Sequence, residues 1–171
     1  MKHFKLIPYV KSWTEIYLPF ASNRKPFEKT FHCIESIANL ANLSMRLPDL
    51  NAPFVAMETN IGGTISGKFL IPQYNIYFFV KSVQKLGGDM DLADLAAKDE
   101  AMDHAMEFRN YLKELQEKHR NDRQFTLMGL DFDNIGFETF GPIHNRWFAV
   151  GISIADLSTY SRCVDRSKYK E

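Results

Sequence analysis

Gly62-Gly63-Thr64-Ile65-Ser66-Gly67-Lys68 has the spacing of a phosphate-binding loop, in which backbone N–H groups cradle phosphate and the lysine reaches the outer phosphates. Phe69 stands where the magnesium-binding Ser or Thr belongs, and the residues after it read as a strand containing Pro72, not as the helix whose N-terminus holds the anion. The segment therefore reads as a loop between strands. Asp131-Phe132-Asp133-Asn134-Ile135-Gly136 begins like a calcium loop, but Ile135 takes the fifth place and Pro142 the twelfth, where a bidentate glutamate is needed. Asp133-Asn134 reads more simply as a hairpin turn, with Asp131 and Asp133 leaving room for a loosely held divalent ion. The histidines His3, His32, His104, His119 and His144 fall at no metal-ligand spacing, and His104 beside Asp103 reads as a solvated flank residue. Cys33 and Cys163 are too far apart in sequence for a CxxC pair or a zinc knuckle, and Cys33 reads as a small core or boundary residue of a helix. Two SxxK matches, from Ser22 and from Ser82, lack the companion motifs of that enzyme class, and no GxSxG elbow occurs. No catalytic, cofactor-binding or metal-ligating residue is assigned.

The elements that would position such residues follow from periodicity. Residues 1–24 mix aromatics with Pro8 and Pro19 and read as an irregular arm. A helix is predicted from about Pro26 to Asn42 on the spacing of Phe27, Phe31, Ile34, Ile37, Ala38 and Ala41, ending before Leu47-Pro48-Asp49. Pro53–Thr59 reads as a strand followed by a turn at Asn60-Ile61-Gly62-Gly63. Phe69–Val83 reads as a long strand with Tyr74, Ile76, Phe78 and Val80 on one face and Asn75, Tyr77, Phe79 and Lys81 on the other. A second helix starts from an Asp89 or Asp91 cap and runs to Lys118-His119-Arg120, with Leu95, Ala101, Ala105, Phe108, Leu112 and Leu115 on its apolar face. Three strands in a meander close the chain, over 124–131, 134–140 and 146–157, and a polar tail from Arg162 to Glu171 frays. The expected fold is α+β: one domain over 1–171, in the order α-β-β-α-β-β-β, with two helices on one face of a mainly antiparallel sheet.

In composition, 171 residues with 21 Lys+Arg against 21 Asp+Glu give a formal net charge of zero. That removes the general attraction to phosphate, and with it nucleic acid as a first-choice partner. The longest apolar run, Ile76-Tyr77-Phe78-Phe79-Val80, is far short of the ~20 residues of a membrane span, and no secretory signal is recognised, so a soluble intracellular protein is expected. Fourteen phenylalanines, seven tyrosines and two tryptophans exceed what one small core conveniently holds. The aromatics of the arm (Phe4, Tyr9, Trp13, Tyr17, Phe20) and of the last strands (Trp147, Phe137 or Phe140) either form an interface or, in the case of the arm, fold back over the open sheet face.

A helix, then Ala52-Pro53-Phe54-Val55-Ala56-Met57-Glu58, a long aromatic strand, an Asp-rich helix start over 89–103, and Gly141-Pro142-Ile143-His144-Asn145-Arg146-Trp147-Phe148-Ala149-Val150-Gly151-Ile152-Ser153-Ile154 stand in the order found in one family. Over about residues 30–157 the chain resembles the small neck or tail-terminator-type structural proteins of tailed bacteriophages, particularly those infecting gut Bacteroidetes. The resemblance implies a non-enzymatic virion subunit without cofactor, assembled in the host cytoplasm into a homo-oligomeric ring at the neck or tail terminus, with other neck or tail proteins as partners. In such a ring the basic N-terminal third (Lys2, Lys5, Lys11, Arg24, Lys25, Lys29) would face a neighbour's Asp89, Asp91, Asp94, Asp99, Glu100 and Asp103. Trp13, Tyr17, Asp94, Asp99, Asp103 and Trp147 are the expected interface residues. The competing class is a small ligand-binding or enzymatic α+β domain with a pocket between helix and sheet, its polar groups Asp131, Asp133, Glu138 and His144.

Overall fold

Leu6, Val10, Trp13, Tyr17 and Phe20 recur three or four residues apart, and Pro8 falls in a first turn, where its missing N–H costs nothing. In the computed structural model, which describes residues 5–21, 30–37, 53–60, 62–66, 69–84, 88–122, 125–143, 146–158 and 160–161, this segment forms helices α1 (Ile7–Ile16) and α2 (Leu18–Ala21). The expected irregular arm is thus helical, and it folds back: Leu6, Val10, Trp13 and Phe20 are buried in the main core.

The helix predicted over 26–42 is overturned where it is described. Phe31–Ile34 is a strand, β1, paired in parallel with β2 (Phe54–Glu58), Phe31 opposite Val55 and Ile34 opposite Glu58. The Val55 and Thr59 amides donate to the Thr30 and Ile34 carbonyls at 2.8 and 2.7 Å, so long-range pairing satisfies backbone groups that a helix would have satisfied locally. Residues 26–29 and 38–42 of that prediction, and the tail 162–171, lie outside the described residues.

β3 (Gly62–Ser66) and β4 (Phe69–Lys81) form an antiparallel hairpin, so a strand, not a helix, follows the GxxxxGK segment. β2 and β3 lie one after the other along the same side of β4. Met57 pairs with Ile76 and Gly62 with Gln73, so the two strands take up successive stretches of that edge. A long helix, α3 (Met90–Lys118), opens on Asp89, whose carboxylate accepts the Asp91 amide at 2.8 Å, and carries Lys118 in its last turn. The expected three-strand meander is a two-strand hairpin, β5 (Leu130–Ile143) and β6 (Trp147–Asp156), with a short β7 (Tyr160–Ser161) after it. Residues 126–129 are turn, not strand, held because the Gln116 amide of α3 donates to the Leu127 and Leu130 carbonyls.

The sheet order is β1-β2-β4-β6-β5, with β3 and β7 flanking the start of β4; β1–β2 is parallel and the other pairs are antiparallel. The protein is therefore a small α+β domain with a mixed, mostly antiparallel sheet. Alternation sorts its side chains as the sequence predicts for β4, and β6 follows the same rule. Tyr74, Ile76, Phe78 and Val80 join Phe148, Val150, Ile152 and Ile154 under the three helices, while Tyr77, Phe79, Trp147 and Ala149 form a second cluster with Phe54 and Ile34 on the opposite face. On α3 the buried stripe is Ala97, Ala101, His104, Ala105, Phe108 and Leu112. Leu95, expected on it, is exposed, and His104, expected in solvent, is buried.

Candidate interaction surfaces

β5 is an edge strand, and its two halves differ. In the first, Asp131 pairs with Ala155 and Gly136 with Ser153, so four residues, 132–135, stand opposite Ile154 alone. Asp133-Asn134 is thus a bulge within one strand, not a hairpin turn. The Asp131 carboxylate accepts the Asp133 amide at 3.1 Å, the Asn134 amide at 3.0 Å and the Asn134 side chain at 3.0 Å, which hold its acid below the usual range. From α3, Lys113 and Arg109 bind Asp133 at 2.5 and 3.3 Å, and Arg109 also donates to the Phe132 carbonyl. These two carboxylates are engaged by protein donors, and among the described residues no group of three or more His, Cys, Asp or Glu could hold a metal ion. The second half, Gly136–Thr139, is exposed, with Phe137 44% exposed on the helix-bearing side of the sheet. Glu138 is exposed there as well, and His144 lies outside the described residues.

α3 carries the three expected acidic interface residues, and the structure separates them. Asp94 accepts the Ser82 hydroxyl at 2.6 Å and forms an ion pair with Arg146, contacts that hold its carboxyl below the usual range. It fastens the end of β4 and the start of β6 to the helix and is already occupied within the chain. Asp99 and Asp103 are exposed. Of the basic residues opposed to them, Lys5 is also taken, at 2.6 Å from the fully buried Asp156, whereas Lys11 is exposed. Trp13 and Trp147 are core side chains, 3% and 5% exposed, and neither presents an open surface. Trp13 stacks on Tyr17 and meets Phe78 and Phe108 edge-on; Trp147 meets Phe54.

Tyr17 is half-buried and leads to a group the sequence reading missed. Burial, with Glu107, Asp103 and Glu100 nearby, pushes its phenol above the ordinary value, so the hydroxyl keeps its proton and shares a 3.2 Å hydrogen bond with His104 Nδ1. The other ring nitrogen, Nε2, makes no hydrogen bond and has Glu100 Oε1 at 3.5 Å. Burial holds the imidazole below its usual value, against the opposing pull of Glu100 and Asp103. The signal was present in the spacing: His104 stands three residues after Ala101 and four before Phe108, inside the apolar stripe.

A second missed network crosses the opposite sheet face. Buried Glu58 accepts the Ile37 amide and the Asn75 side chain, each at 2.7 Å, and Ser153 donates to Asn75 at 2.6 Å, joining β2, β4 and β6. Tyr77, buried and hydrogen-bonded to Glu58, has its phenol pushed well above the ordinary value. Its ring lies where a Cβ on Gly151 would come within 2.8 Å, so only glycine fits there. Cys33 is exposed on β1 rather than packed in a helix, its thiol pushed up by partial burial. Between β4 and the start of α3 lies a cleft of about 460 Å³ whose lining includes Val83, Leu92, Ala93 and Ala96, bordered by Lys81, Asp89 and Glu100.

Edge strand, exposed helix face and cleft are features of a small α+β domain with a mixed, mostly antiparallel sheet. No family model matches the sequence, and no curated protein matches it. No helix among the described residues is long and apolar enough to cross a membrane.

Proposed function

We propose that the protein is a structural subunit that works by assembling with copies of itself, as its resemblance to phage neck and tail-terminator proteins implies: a non-enzymatic virion component forming a ring at the neck or tail terminus. One observation carries this reading, the second half of β5. An edge strand offers a row of backbone donors and acceptors to any strand that arrives, and proteins that stay single blunt such edges with bulges and charges. Here a bulge with its Lys113–Asp133 and Arg109–Asp133 pairs blunts the start of β5, and a second register shift, at Phe140–Ile143 with Pro142, ends it, so the regular edge between them is the short run Gly136–Phe140. Gly136–Thr139 stays exposed, with Phe137 in solvent beside it.

The test is the mass in solution by light scattering over a concentration series, for the natural chain and for Phe137→Lys. The natural chain is expected to gain mass with concentration, and the variant, altered at an exposed side chain, to remain folded and lag behind it. A chain that is monomeric at every concentration, at low and at moderate salt, would refute the proposal.

A further inference from the structure

We draw no further inference here: the strongest candidate, the cleft between β4 and the start of α3, is bordered by Lys81 as well as by Asp89 and Glu100, so its charge selects no partner and nothing in the structure shows what covers it.

Discussion

The two faces of the sheet are organised by different physics. Under the helices, Phe78, Phe108 and Phe148 and the alanines Ala101 and Ala105 are held by volume and exclusion of water, with the buried His104 as a polar intrusion. On the opposite face, Phe54, Tyr77, Phe79 and Trp147 make a small aromatic cluster, and Tyr77 links it to Glu58, Asn75 and Ser153, joined by directional hydrogen bonds. One face tolerates any side chain of the right size. The other constrains which atom meets which, and so ties β2, β4 and β6 in register.

The largest expected effect tests the first face. Phe108→Ala removes a ring in contact with Trp13 and Phe78 and leaves a cavity between helix and sheet. It should cost about 3–5 kcal/mol, read as a lowered urea midpoint with an unchanged denaturant slope. A cost below about 1 kcal/mol would mean that the helix is not packed as described. On the second face, Asn75→Ala takes a donor from Glu58 and an acceptor from Ser153, with a smaller expected cost of about 1–3 kcal/mol. Asn75→Ala costing as much as Phe108→Ala would erase the distinction between the faces.

The polar intrusion in the first face gives a pH dependence whose sign is fixed. His104 is held below its unfolded value by burial, while Tyr17, Glu100 and Asp103 surround it. Below about pH 6.5 the unfolded chain takes up a proton that the folded chain resists, so stability is complete above that value and declines as pH falls toward the depressed folded value. His104→Gln should flatten the fall in urea midpoint between pH 7 and pH 5. An unchanged slope would show that the imidazole titrates normally.

Legibility in the sequence follows the same division. β4, β6 and most of α3 could be read from their apolar pattern: runs of aromatic and β-branched residues whose alternate members fall on the two covered faces of the sheet, and apolar residues every third or fourth in the helix. β1 could not, because Phe31 and Ile34 fit a helical spacing and their strand exists through pairing with β2, more than twenty residues away. α1 was legible and missed: Leu6, Val10, Trp13 and Phe20 have helical spacing, and Pro8 marks a first turn rather than irregularity. The bulge at Asp133-Asn134 carries the residues of a hairpin turn, and what makes it a bulge is that β5 pairs with β6 on both sides of it, at Asp131 and at Gly136. The Glu58 network has no local pattern at all, since its members come from separate strands and meet through register. The expected acids of the interface were correctly placed on α3, but the sequence does not show which of them the chain itself consumes.

That last difference yields the smallest expected effect on the fold. Asp94 is engaged by Ser82 and Arg146, whereas Asp99 and Asp103 stand in solvent on the same helix. Asp99→Lys with Asp103→Lys should change stability by no more than about 0.5 kcal/mol per site, the usual range for surface substitutions, while weakening any salt-sensitive self-association. Asp94→Asn should do the reverse. It leaves the outward charges in place and loosens the attachment of β4 and β6 to α3, and the stability it removes is present above the ordinary carboxyl value and lost in the natural chain as pH falls through the depressed one. Measuring urea midpoint and assembly concentration on both variants separates the two kinds of acid. If Asp99 and Asp103 behave like Asp94, the outward face of α3 contributes to the fold and not to a neighbour. If Asp94 behaves like them, its bonds to Ser82 and Arg146 do not persist in solution.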